Sequence, residues 1–148
     1  MILKTETDYD NPWQYKGNPF TSEDIGEWIG FVYLLTDPKG KKYVGKKLFV
    51  SKRKLPPLKG KTRRRTKISE SDWKNYYGSS EEVRTLVESN THFQREILHL
   101  CNTKGELSYM ELKEQIERKV LLRSDYYNGI IQVKIHASHV RNLKEDED

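Results

Sequence analysis

Cysteine is almost absent from this chain: Cys101 stands alone, which excludes an internal disulfide framework and any zinc site built from cysteines only. The scarcity points to a reducing compartment. Long apolar runs are missing too. No stretch approaches the roughly 20 residues that a membrane span requires, and the first residues lack the basic-then-apolar layout of a secretory signal. The expectation is a soluble, cytoplasmic protein with no membrane partner. Hydrophobic residues make up 34% of the chain against 33% charged, so the core is small. Its 3 Trp, 9 Tyr and 4 Phe have to supply much of the buried area. At 148 residues there is room for one ordinary domain and not for a second core.

Acid is missing where it matters most. Residues 39 to 67 hold 14 Lys or Arg and no Asp or Glu; against a net charge of +5 this leaves −9 on the remainder. A merely soluble surface mixes its signs, whereas this segregation is the electrostatic footprint of a site for a polyanion.

Residues 1 to 29 are polar and turn-rich, and read as an arm without regular structure, packed on the core through Trp13, Phe20 and Trp28. Residues 31 to 36 and 41 to 46 read as strands by their β-branched and aromatic content. Between them, Pro38 presets φ and Gly40 tolerates φ > 0, which fits a type I turn closed by a G1 bulge. The closing pair is then Asp37 with Lys41. Counting back sets Leu35 opposite Tyr43 and Tyr33 opposite Gly45, so Tyr33, Leu35, Tyr43 and Gly45 share one face while Val32, Leu34 and Val44 share the other. A two-residue turn would shift this register and separate the tyrosines.

From 47 to 67, Pro56-Pro57 and Gly60 argue against a long helix and for a basic loop. Glu70 to Tyr76 suggests a short helical turn. Ser79 with Glu82 has capping-box spacing, and predicts a helix over 80–89 with Val83, Leu86 and Val87 inward. Residues 93 to 100 read as the third strand. Thr103 with Glu106 opens a helix reaching about Leu122, with Leu107, Met110, Ile116, Val120 and Leu121 as its apolar stripe and Glu111 beside it. Ile130 to Ile135 reads as a final strand. The acidic end, from 141 to 148, reads as a solvated tail.

Phe31-Val32-Tyr33, then Tyr43-Val44-Gly45, then Arg53 eight residues past the glycine, followed by YYGSS at 76 to 80, the helix around Glu111 and YYN at 126 to 128, resemble the GIY-YIG nuclease family. The later elements are similar to its phage-borne, homing-endonuclease-like (Seg-like) members. The resemblance spans residues 30 to 130, within a nuclease domain taken as 30–140. It implies an α/β (α+β) fold with a small central three-stranded antiparallel sheet flanked by helices. It further implies one divalent metal held by a helix glutamate, and hydrolysis of DNA phosphodiesters.

Carried onto this chain, the resemblance makes Tyr33 the general base acting on a water. Its ordinary pKa near 10 requires a nearby cation or metal, and Lys46 or Lys47 could supply that charge, or Lys42 from the adjacent strand. Arg53 would pair with a nonbridging phosphate oxygen through its guanidinium fork. Glu111 would hold Mg²⁺ (or Mn²⁺), an ion content with one carboxylate plus waters and substrate oxygens. Tyr43 would position the phosphate or the water, Gly45 leaves space, and Asn128 supports the site by hydrogen bonding. Lys52, Lys54, Lys59, Lys61, Arg63, Arg64, Arg65 and Lys67 of the loop 52–67 would contact duplex DNA. Many family members carry a histidine one helical turn after the arginine; here that position is Pro57.

Bland readings stand beside these. Strand tyrosines usually pack, an arginine in a basic run is usually solvated, and Asn128 could be a turn residue. Trp73, Tyr76 and Tyr77 read as core rather than as base-stacking platforms, and His136 and His139 as surface residues rather than zinc ligands. The rival reading is a noncatalytic nucleic-acid-binding protein, which would leave Glu111 far from the tyrosines. A homodimer formed transiently on DNA stays open.

Overall fold

In a computed structural model, the structure describes residues 11–143; residues 1 to 10 of the arm and the acidic end from 144 lie outside it. Its centre is β3 (Gly30–Thr36), whose residues from Gly30 to Leu35 are all buried. A strand buried on both faces needs a continuous apolar run rather than an alternating one, and FVYLL supplies it. β4 (Lys42–Leu48) flanks it on one side and β7 (Gln94–Cys101) on the other, both antiparallel. The expected three-stranded core is therefore present, but the sheet is larger. The two-residue strands β1 (Gln14–Tyr15) and β2 (Asn18–Pro19) extend it to five in the order β2-β1-β7-β3-β4, with β1 parallel to β7.

The hairpin register is the expected one. Leu35 faces Tyr43 and Tyr33 faces Gly45; the Gly40 N–H donates to Asp37 O at 3.0 Å, and Gly40 sits at φ 90°. On the β7 side the register shifts between Val32 and Tyr33, leaving Leu98 as the extra residue. Bulges re-aim side chains beside functional sites, and this one adjoins Tyr33.

Each sheet face has its own core. Trp13, Phe20, Phe31, Phe49, Trp73 and Phe93 pack with Tyr33 and Leu35 on one side, joined by Val83 from α1 (Glu81–Glu88). Val32, Leu34, Val44 and Cys101 pack under Leu107 of α2 (Lys104–Glu117) and Val120 on the other. No helix among the described residues is long and apolar enough to cross a membrane.

Several expectations fail for local reasons. The arm is not irregular, because β1, β2 and a 3-10 turn at Ser22–Asp24 form within it. Trp13 and Phe20 are buried as expected, but Trp28 is 36% exposed and anchors nothing deep. The cap of α1 is Ser80, which accepts from the Val83 N–H, rather than Ser79. α2 keeps its Thr103 cap but stops at Glu117, and Lys119 then takes φ 56°. Leu121, past the end of the helix, is 47% exposed, and Ile116, in its last turn, is 60% exposed. Residues 130 to 135 form no strand.

The largest correction concerns the basic loop. β5 (Val50–Leu55) and β6 (Arg65–Glu70) pair antiparallel as a separate two-stranded ribbon, with the prolines and Gly60 in its connection. Pro56-Pro57 does forbid a helix, but its place just past Leu55 leaves the ladder intact.

Candidate active site

The edge of β4 would be open were it not covered. Residues 125 to 128 lie along it: the Lys42 N–H donates to Asp125 O at 2.9 Å, and the Tyr127 N–H donates to Lys42 O at 2.7 Å. Asn128 continues the ladder with its side chain, its Oδ1 accepting from the Val44 N–H at 3.0 Å and its Nδ2 donating to Val44 O at 2.8 Å. Gln115 Nε2 reaches the same carbonyl at 3.3 Å. Over this edge opens a cleft of about 370 Å³, lined by Tyr43, Lys46, Ser79, Glu111, Gln115 and Asn128 among others. Sheet, helix α2 and two distant loops thus meet at one place.

Tyr33 lies behind that cleft rather than in its lining. It is 1% exposed, its ring centroid 6.3 Å from that of Tyr43 and 6.0 Å from that of Tyr76. A Cβ built on Gly45 would stand 2.6 Å from Tyr33 Cζ and 3.1 Å from Tyr43 Cε2, and one on Gly78 would stand 3.1 Å from Tyr33 Oη. The hydroxyl is held between two backbone positions that carry no side chain. Tyr76 adjoins it, the two rings meeting edge to face. Burial pushes the Tyr33 phenol well above the ordinary tyrosine range, and Tyr76, Tyr43 and Glu111 push it the same way. At neutral pH, Tyr33 therefore holds its proton.

The two lysines beside Gly45 separate by strand alternation. Lys46 points to α2, its Nζ 2.8 Å from Ser108 Oγ and 3.8 Å from Glu111 Oε1. Lys47 points to the tyrosine face, its Nζ 4.2 Å from the Tyr76 ring centroid and 2.6 Å from Asp72 Oδ1. Lys42 Nζ instead donates to Gly40 O at 3.0 Å. Glu111 is half-buried; burial raises its pKa while the Lys46 charge and hydrogen bond oppose the rise.

A family model described as "Putative endonuclease segE, GIY-YIG domain" matches residues 13–131. The chain belongs to this GIY-YIG family. The match takes in both walls of the cleft, the ribbon and the β1–β2 arm. No curated protein matches the chain, and no solved structure does.

Within this GIY-YIG domain, the cleft gathers Tyr43, Lys46, Glu111 and Asn128, with Tyr33, Gly45 and Lys47 adjoining it. It does not gather Arg53. That residue is exposed in the middle of β5, opposite Lys67, and is not part of the cleft lining. Arg53 and Pro57 share no helix, so helical-turn spacing from the arginine has no meaning in this chain. The remaining basic candidates, Lys52, Lys54, Lys59, Lys61, Arg63, Arg64, Arg65 and Lys67, are all exposed on the ribbon or its tip.

A divalent ion has one suitable protein ligand here. Among the described residues no three His, Cys, Asp or Glu are placed to hold a metal together, so Glu111 would act alone. That fits an ion such as Mg²⁺, which keeps waters and takes substrate oxygens. The half-buried carboxylate faces a polar cleft, with an ammonium 3.8 Å away as its ion-pair partner.

The sequence reads Tyr76 as core and Ser79 as a helix cap, and gives no site role to Gly78, Ser79 or Gln115. Gly78 carried the one available signal, a glycine directly after paired aromatics. Gln115 lies one helical turn beyond Glu111, a spacing that places both on one side of α2. Tyr43 Oη meets Ser79 Oγ at 3.2 Å, a contact that only folding creates.

Proposed function

We propose that this protein is a metal-dependent DNA endonuclease whose chemistry takes place in the cleft over the β4 edge. Family membership points to nuclease activity on DNA. The observation that carries the finer reading is that Glu111, 66 positions after Gly45 in sequence, lines the same cleft as Tyr43 and Lys46. A noncatalytic descendant would be under no pressure to keep a half-buried carboxylate there, because desolvating a charge costs stability.

In this reading a water attacks phosphorus, a P–O bond forms, one ester P–O bond breaks, and the departing oxygen takes up a proton. Mg²⁺ held by Glu111 would supply Lewis-acid charge to the phosphate oxygens. Lys46 brings positive potential to the same wall. Tyr43, accessible in the cleft and steadied by Ser79, positions the phosphate or the water. Tyr33 keeps its proton on Oη in the resting protein, and has to give it up before it can take one from a water. It serves as a base only when positive charge, such as Mg²⁺ at Glu111 would bring, offsets its burial. Lys47, over the Tyr76 ring, supports that offset. Arg53 acts on the DNA from the ribbon, outside the cleft, and Asn128 acts by holding the β4 edge.

Plasmid nicking tests the assignment. Wild type should nick with Mg²⁺ or Mn²⁺ and stop with EDTA, while Tyr33→Phe and Glu111→Ala should lose cleavage by a factor of about 100 or more and keep most DNA affinity. Equal nicking by wild type and both variants would sink it.

A further inference from the structure

The basic segment is not a loose phosphate brush but a built ribbon with a rigid root. At its base the Ser71 N–H donates to Phe49 O at 2.8 Å and Ser71 Oγ donates to Leu48 O at 2.6 Å. Glu70 Oε2 accepts from Ser22 Oγ at 2.9 Å and from Trp73 Nε1 at 3.1 Å. Phe49 and Trp73 beside these contacts are fully buried. Beyond the root, the side-chain hydrogen bonds stay within the ribbon: Ser51 to Ser69, Lys54 to Thr66, and Arg65 to Pro56 O. Among the described residues, none of the nine cations from 52 to 67 joins an ion pair with an acid of this chain.

The register adds a point that composition could not. Arg53 lies directly opposite Lys67, and Arg65 opposite Leu55, with Ser51 facing Ser69. These residues share one face, and directly opposed like charges destabilise a ladder. A ribbon that keeps such a pair exposed is arranged for a dense external anion. The other face carries Lys52, Lys54, Thr66 and Ile68.

Dimensions select the partner. Each strand has six residues, or about 20 Å at ~3.3 Å per residue, the length of about six base pairs. Two strands about 4.8 Å apart with their side chains suit the major groove of B-form DNA, about 12 Å wide, which admits a two-stranded ribbon. The deep, narrow major groove of an RNA duplex does not.

We propose that the β5–β6 ribbon enters the major groove of duplex DNA and reads base edges with its Arg53/Arg65/Lys67 face, while the tip cations Lys59, Lys61, Arg63 and Arg64 hold phosphates. Arginine and lysine on that face suit the O6 and N7 acceptors of guanine. The inference rests on DNA being the substrate. It supplies a base-reading element beside the cleft.

The test is carried out in EDTA, so that cleavage plays no part. Randomised duplex DNA is selected on wild type and on Arg65→Gln/Lys67→Gln, two exposed substitutions that leave the cleft untouched. Wild type should enrich a guanine-containing motif of about six base pairs and protect its guanine N7 positions from dimethyl sulfate. The variant should lose the motif and bind the selected duplex at least about tenfold more weakly. Enrichment of no motif, binding without N7 protection, or equal loss of affinity for a duplex RNA of the same sequence would overturn the proposal. A wild type that protects guanine N7 in EDTA yet never nicks with Mg²⁺ would instead refute the nuclease reading and leave the ribbon standing.

Discussion

Replacing Gly45 by alanine should damage the protein from the inside, although the change adds a single methyl group. The new Cβ would come within 2.6 Å of Tyr33 Cζ and 3.1 Å of Tyr43 Cε2, both well under van der Waals contact. Tyr33 has little room to retreat, since it is 1% exposed and a Cβ built on Gly78 would already stand 3.1 Å from its hydroxyl. Overpacking of a tight core costs about 1–3 kcal/mol, and the closed surroundings argue for the upper half, about 2–3 kcal/mol. For a domain stable by about 5–15 kcal/mol that is a large fraction. Urea denaturation followed by tryptophan fluorescence should show a lower midpoint at unchanged slope. Nicking, normalised to folded protein, should fall further than stability does, because the displaced ring backs the cleft beside Tyr43. Tyr33→Leu in the Gly45→Ala background should recover about 1 kcal/mol or more of coupling energy without recovering activity. A Gly45→Ala protein with the wild-type midpoint and wild-type nicking would refute the claim that this glycine exists to seat Tyr33.

Asp37 locks the hairpin turn, its Oδ1 accepting from the Lys39 and Lys41 N–H groups at 2.8 Å each and its Oδ2 from the Tyr127 hydroxyl at 2.5 Å. Burial alone would raise its pKa, but these donors hold it below the ordinary carboxylate value. Its contribution is therefore present above about pH 4 and lost as pH falls through the lowered value; Asp37→Asn should cost about 1–2 kcal/mol at pH 7 and flatten the acid limb of a stability–pH curve. Asn128→Ala removes the acceptor of the Val44 N–H and one of the two side-chain donors to Val44 O, Gln115 being the other, and should cost about 1–2 kcal/mol, with hydrogen exchange at the Val44 amide speeding up more than in β7. Arg95 is 1% exposed, donates to the carbonyls of Asn11 and Tyr76, and lies 4.4 Å from the Tyr77 ring centroid. Arg95→Met should therefore cost about 2–4 kcal/mol in urea denaturation and loosen the loop that carries Tyr76.

Much of the site was legible because it is local. A turn of fixed chemistry, Asp37 to Gly40, fixes which residues of two adjoining strands oppose one another, and side-chain alternation then assigns faces without further information. Burial of the strand at 93–100, the Thr103 cap and the absence of helix after Arg53 followed from equally local rules. The failures share a cause as well. The final strand did not form at 130–135 because segment 125–128 takes the β4 edge with backbone and the Asn128 side chain instead. The apolar stripe of α2 ran past Glu117 because periodicity does not register a left-handed residue at Lys119. The ribbon was taken for a loop because its strands are cationic and exposed, so neither face shows the apolar alternation by which a half-buried strand is recognised.

Sequence alone determined the family, the hairpin register, the segregation of positive charge and the identity of the chemical groups, since each depends on residues near one another in the chain. Tertiary structure decided which of those groups meet. It brought Glu111 to Tyr43 across α2, set Tyr33 behind the cleft as a buried neutral phenol, split Lys46 from Lys47 onto opposite faces, and carried Arg53 out onto a ribbon. Those outcomes depend on how sheet, helix and edge segment pack, and packing couples residues by volume and burial rather than by spacing along the chain.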